Sequence, residues 1–104
     1  MAIAQILDLY ARRGKSLADI GVNAAALPIG EADAALNLFC QLGWRVLGGD
    51  VYALSKWDQL EPTYDNWFYN GNNSHDSVVK ARGYLQTLRN VQVYIVFVVA
   101  DNNA

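Results

Sequence analysis

One cysteine, one histidine, two prolines and only 17% charged residues leave most familiar chemical signatures missing from this chain of 104 residues. Cys40, standing alone, excludes an internal disulfide and any cysteine-based zinc cage. It falls in an apolar helical pattern, so a small buried hydrophobe in a reducing cytoplasm is its expected role. The longest apolar run, Val93 to Ala100, is too short to span a bilayer, so no membrane association is expected. The N-terminal MAIAQILDLYARRG lacks a basic leader and a small-residue cleavage site, so no secretion signal is expected. There is no GxxxxGK[ST] and no GxGxxG opening a helix, which removes the common phosphate-binding loops. A single histidine among scattered acids lacks metal-ligand spacing, and no cofactor or metal is expected. Charged residues usually make up about 25% of a soluble domain, so this surface is thinly charged. Such a surface favours contact with a partner or with a second copy.

What is present is apolar material and an uneven charge. Hydrophobic residues reach 53%, ample for one core, and the length implies a single domain over residues 1–104. The net charge is −2, but it is not spread evenly. Between Asp50 and Asp76 five acids (Asp50, Asp58, Glu61, Asp65, Asp76) stand against Lys56 alone, a net of −4. Phosphate contacts need Lys and Arg, so an acidic middle argues against nucleic acid as partner. It suits a basic protein surface.

Ile3, Ile6, Leu7 and Tyr10 recur at helical spacing and predict a first helix ending near Gly14. Ser16 and Asp19 are spaced like a capping pair and suggest a short turn through SLADI. GVNAAALPIG reads as a connector punctuated by Pro28 and Gly30. Glu31 and Asp33 fall in the first turn of a second helix, whose inward stripe is Ala32, Ala35, Leu36, Phe39 and Cys40 and whose end is Gly43. From Arg45 the period changes. Asp50 to Lys56 and Thr63 to Tyr69 read as two arms of a hairpin around the loop WDQLEP. NGNNS is a loop, Ser74 a cap for a third helix, and Val78, Ala81, Leu85 and Leu88 its inward positions. Val91 to Val99 is a buried strand. The class is α+β, in the order helix, helix, strand, strand, helix, strand, with helices packed on a small three-stranded sheet and Asp50–Lys56 at its centre.

Three features could carry chemistry or binding. Gly48-Gly49 most simply marks a bend or bulge where another backbone comes close. His75, beside Asp76, with Asp50 and Asp65, could build a general-base constellation in a small enzyme or ligand-binding domain, although a loop histidine of this kind is usually solvated. Trp57, Tyr64, Trp67, Phe68 and Tyr69 crowd the hairpin. Alternation places Tyr64, Asn66 and Phe68 on one face of the second arm, and Thr63, Asp65, Trp67 and Tyr69 on the other. One face fills the core. The other is expected to present Asp65 beside Trp67, the composition of a protein-binding hot spot. The bland alternative is that all these rings are core.

The motifs GGDVY and EPTYDNWFYN resemble those of the immunity proteins of bacterial polymorphic toxin systems, specifically immunity protein family forty. The resemblance runs from Ser16 to Val99, through DIGVNAAAL, GEADAAL, LGWRVLGGDVY and the helix SHDSVVKARGYL. Two departures stand out: Trp67-Phe68-Tyr69 where the family pattern has Trp-Tyr, and a bulky WDQL in the hairpin loop. The resemblance implies a non-enzymatic cytoplasmic protein that binds a cognate toxin domain and blocks it. On that basis Trp57, Asp58, Glu61, Asp65, Trp67 and Tyr69 are the expected contacts, and Gly48, Gly49, Asp50 and Tyr64 shape the hairpin. A homodimer through exposed apolar surface is a further reading of the thinly charged surface.

Overall fold

The computed structural model describes residues 2–18, 21, 24–88 and 92–101. Helix α1 spans Ala2–Arg13, and the short strands β1 and β2 span Lys15–Ser16 and Ala25–Pro28. Helix α2 follows directly over Ile29–Leu42. Strands β3 (Arg45–Leu54) and β4 (Leu60–Phe68) form the hairpin, helix α3 covers Ser74–Gln86, and strand β5 covers Val93–Ala100. The class is α+β as expected, but the sheet has five strands in the order β1-β2-β5-β3-β4, all neighbours antiparallel. β3 does lie between β4 and β5, but β5 is the middle strand of the five; β3 starts at Arg45 and stops at Leu54, short of the expected Lys56, and β4 already starts at Leu60, inside the expected loop WDQLEP. Because β4 and β5 are each antiparallel to β3, they run the same way, and α3 crosses between them.

The expected connector is the largest correction. Ala25–Pro28 is a strand that pairs with β5 through Leu27–Ile95 and Pro28–Tyr94. Pro28 then serves as the N-cap position of α2 without a side-chain cap, its φ of −56° suiting both roles. Ser16 lies in β1, and its hydroxyl accepts from the Ala18 N–H at 3.1 Å. Its expected capping partner Asp19, like Val91, lies outside the described residues.

One core fills the space between the sheet and the helices. α2 supplies Ala32, Ala35, Leu36 and Phe39, α3 supplies Val78, Ala81 and Leu85, and the sheet supplies Leu27, Val46, Val51, Trp67, Val93 and Ile95. Each fully buried Leu, Ile or Val of this set stabilises the fold by about 1.5–3 kcal/mol. The stripe of α2 is as expected except at Cys40, which is exposed. One position past Phe39 turns the side chain about 100° away from the core. Asp33 lies beyond the first turn of α2 and pairs with Arg82 of α3 at 2.8 Å, while Glu31 remains in the first turn. Gly43 ends the helix in the left-handed region at φ 71°, as its position foretold.

α1 is rotated from the expected stripe. Ile6 and Leu9 are buried, while Ile3 and Leu7 are exposed, Leu7 by 66%. These two rim an apolar cavity of about 460 Å³, whose walls include Tyr10, Phe39, Trp44, Phe97 and Val99. α3 is capped by Asn73, not Ser74: the Asn73 side chain accepts from the Asp76 N–H at 2.9 Å. Ser74 is instead the first helical residue, and its hydroxyl donates to the Trp44 carbonyl at 2.8 Å. Buried Ser77 accepts from the Val46 N–H at 2.9 Å and donates to the Ser74 carbonyl at 2.7 Å, tying the start of α3 to the start of β3. Among the described residues no helix is long and apolar enough to cross a membrane.

Candidate functional site

The β3–β4 hairpin is shaped by two irregularities and a glycine. The first is a bulge in β3, where Val46 and Gly48 oppose consecutive residues Val99 and Val98 of β5, leaving Leu47 extra. Gly48 sits there at φ 155°, and a Cβ on it would collide with the Trp67 carbonyl. Only glycine suits that close backbone approach. Next along the strand, Gly49 lies in a cross-strand row between Trp67 of β4 and Phe97 of β5. Having no side chain, it gives up its place to the Trp67 ring, whose far edge occupies the position a Cβ would need. The indole therefore lies over β3, meets Phe97 edge-on at 6.0 Å and stacks on Tyr84 of α3 at 4.9 Å.

Trp67 is consequently only 6% exposed. Alternation along this arm was read in the right phase, but the face that carries Trp67 is the one the helices cover. This corrects the expected surface role of the ring: it is core. Its indole N–H has no hydrogen-bond partner among the described residues, and stacking and burial hold the ring in place. The opposite face and the sheet edge carry the exposed rings instead. Tyr64 is 85% exposed and Phe68 68% exposed, and in the loop between the arms Trp57 is 75% exposed.

The second irregularity lies in β4. Asp50 opposes Asn66 and Tyr52 opposes Pro62, so Val51 alone faces the three residues Thr63, Tyr64 and Asp65. Tyr64 at the apex has φ 69°, a left-handed backbone. Thr63 braces the bulge. Its Oγ1 accepts from the Asp65 N–H at 3.2 Å and lies 3.2 Å from both the Val51 carbonyl and Asp65 Oδ2, either of which can take its proton. The loop has its own brace in Ser55, whose hydroxyl accepts from the Trp57 and Gln59 N–H groups at 3.2 and 3.3 Å. Asp58 adopts φ 61° there. Lys56 lies 5.1 Å from the Trp57 ring centroid and Lys80 of α3 5.5 Å from that of Phe68.

Asp58, Glu61 and Asp65 are all exposed, and among the described residues none is in an ion pair. The described ion pairs lie on the helical side: Arg12 with Asp8, Arg13 with Glu31 and Arg82 with Asp33. Burial, and secondarily the Asp65 charge, push the Tyr84 phenol above its usual range. Asp65, two residues before the helix-covered Trp67 in β4, is on the α3 side of the sheet. Asp50 faces the other way, because its neighbours Gly49 and Val51 both point into the helix-covered core. His75 is exposed at the start of α3, nine residues before Tyr84 and so about 13 Å away along the helix. Asp50, Asp65 and His75 do not converge on one concave site. Among the described residues no group of three or more His, Cys, Asp or Glu could hold a metal ion.

Tyr69 is half-buried and braces the following loop, its hydroxyl accepting from the Asn73 N–H at 3.2 Å and its ring lying against Gly71. The surface of the hairpin is therefore built from Trp57, Asp58, Glu61, Tyr64, Asp65 and Phe68, with Trp67 and Tyr69 beneath it. Tyr64, read from sequence as a shaping residue, is its most exposed ring. Phe68 was not among the expected contacts. One sequence signal pointed the right way: a glycine pair preceding an aromatic hairpin leaves a seat for the larger ring, which puts its chain neighbour outside.

The domain is mixed, with exposed rings and acids gathered on one hairpin, and residues 16–99 match the model of a family of immunity proteins. That family is described as Immunity protein 40, and the chain belongs to it. The match runs from Ser16, the second residue of β1, to Val99, one short of the end of β5, and leaves out α1. Searches of curated proteins and of solved structures found no match.

Proposed function

We propose that the protein binds a cognate toxin domain one-to-one in the cytoplasm and neutralises it, and that the β3–β4 hairpin is the contact surface. Family membership supports a protein toxin as partner. The observation that carries the choice of surface is the exposure of Trp57, Tyr64 and Phe68 on one hairpin, beside acids without ion-pair partners among the described residues. Large rings left in water are costly to keep there, and rigid aromatics ringed by polar groups are what interface centres are made of. The acids favour a basic partner surface and speed encounter with it. β4 is also a sheet edge, but Pro62 lacks an N–H and the bulge at Thr63–Asp65 interrupts the ladder. Such an edge resists strand addition, so recognition rests on side chains.

Co-expression with the toxin domain encoded beside this gene tests the reading. Survival together with a co-purifying one-to-one complex is the expected outcome. A folded protein that neither rescues cells from a demonstrably lethal toxin domain nor co-purifies with it rejects that pairing.

A further inference from the structure

We propose that Tyr64 is the central anchor of this interface, entering an apolar pocket on the toxin domain whose rim is basic; this rests on the toxin-binding reading above. The position is badly suited to a tyrosine on local grounds. Its φ of 69° lies in the left-handed region, where glycine and asparagine are at home and a bulky side chain is an outlier. Its ring is 85% exposed, so no packing within the described fold compensates for that backbone. A residue that strains the backbone and fills no core is kept for what it meets outside.

The surroundings hold it ready. Two extra residues in β4 push Tyr64 out beyond the regular ladder, and Thr63 Oγ1 fixes the turn by accepting from the Asp65 N–H at 3.2 Å. A phenol has only two side-chain torsions, so a ring presented from a braced bulge loses little freedom on docking. Phe68 lies further along β4, and Trp57 stands in the hairpin loop, so exposed rings occur on both sides of the anchor in the chain. Glu61 and Asp65 flank Tyr64 in β4, exposed and without ion pairs among the described residues. Exposed acids before and after Tyr64 in the strand, with Asp65 on its α3 side, are complementary to a basic surface beside the apolar hole that receives the ring.

The test uses the full-length protein and the toxin domain in a catalytically disabled form, with titration calorimetry for affinity and thermal unfolding for stability. Tyr64→Gly keeps the left-handed backbone and removes the ring. It is expected to weaken binding by about 100-fold, the scale of a hot-spot truncation. Because glycine relieves the backbone strain, Tm should hold or rise by a few degrees, on the order of 3 °C. Tyr64→Phe should stay within about tenfold of the parent, as most of the buried ring is retained. Thr63→Val, which removes the brace and leaves the ring, should bind more weakly than the parent through loss of preorganisation. Tyr64→Gly binding within threefold of the parent overturns the anchor while leaving the complex established. A marked drop in Tm for Tyr64→Gly also overturns it, by showing that the ring supports the fold. A parent protein that forms no complex removes both readings together.

Discussion

Trp67 and Phe68 are neighbours in one strand, and they belong to two different economies of the molecule. On the helix-covered side of the sheet, rings stack in series: Tyr84 on Trp67, Trp67 against Phe97, Phe97 against Phe39, and Phe39 on Trp44. Ion pairs join α1 to α2 and α2 to α3 on that side. At the β4 edge and the hairpin loop, rings of the same kind stand in water, and among the described residues the acids beside them form no ion pair. The contrast teaches that aromatic content says nothing by itself about role. The same residue types serve cohesion where a neighbouring layer covers them and are left free for the proposed recognition where none does.

The sharpest way to break this comparison is to truncate the inner ring. Trp67→Ala should destabilise the fold by about 3–5 kcal/mol, measured by urea unfolding, because it empties the space over Gly49 between Tyr84 and Phe97. Trp67→Phe should cost much less, since it keeps a stacking ring and removes a buried N–H that has no partner among the described residues. If Trp67→Ala proved as mild as a change at Trp57, the division into inner and outer rings would fail.

A medium effect concerns Tyr10, in the wall of the apolar cavity beside α1. Burial pushes its phenol from 10.0 up to about 12. The folded protein therefore holds this proton more tightly than the unfolded chain does. The resulting stability is fully present below pH 10 and is lost as pH rises through about 12. The loss should be about 2 kcal/mol, allowing for partial exposure of the ring. Unfolding free energies at rising alkaline pH should show it in the parent and not in Tyr10→Phe. Equal slopes for the two proteins would show that the hydroxyl is already hydrated.

The smallest stability effect is expected on the outer side. Trp57→Ala and Phe68→Ala should each stay within about 0.5 kcal/mol of the parent. Both should nonetheless weaken the toxin complex, as read by calorimetry. A Phe68→Ala variant as unstable as Trp67→Ala would place Phe68 in the core and withdraw it from the surface.

Much of the scaffold could be read from residue spacing. The stripe Ala32, Ala35, Leu36, Phe39 and the set Val78, Ala81, Leu85 are helical signals with few alternatives, and the apolar run that forms β5 is equally plain. Ala25–Pro28 was not legible as a strand because alanines carry little strand preference and the proline reads as punctuation. Only the apolar flank of β5, far away in sequence, makes a strand of it. Ile3 and Leu7 have the right period for the core but the wrong direction, since periodicity fixes a stripe and not which neighbour it meets. The hairpin shows the same limit in period two. Alternation separates Trp67 from Phe68, yet which of them is inside depends on the side from which α2 and α3 cover the sheet. The role of Tyr64 was hidden for another reason: a left-handed tyrosine in a bulge has no distinctive sequence signal.

The row Trp67–Gly49–Phe97 bears on how such a protein can diversify. With the indole seated in the gap that glycine leaves, β4 is registered from within, and the alternate positions facing outward carry no share of that registration. Under the proposed function, Tyr64, Asn66 and Phe68 are then free to change with the partner while the framework is kept, so long as the glycine and the tryptophan are passed on as a pair.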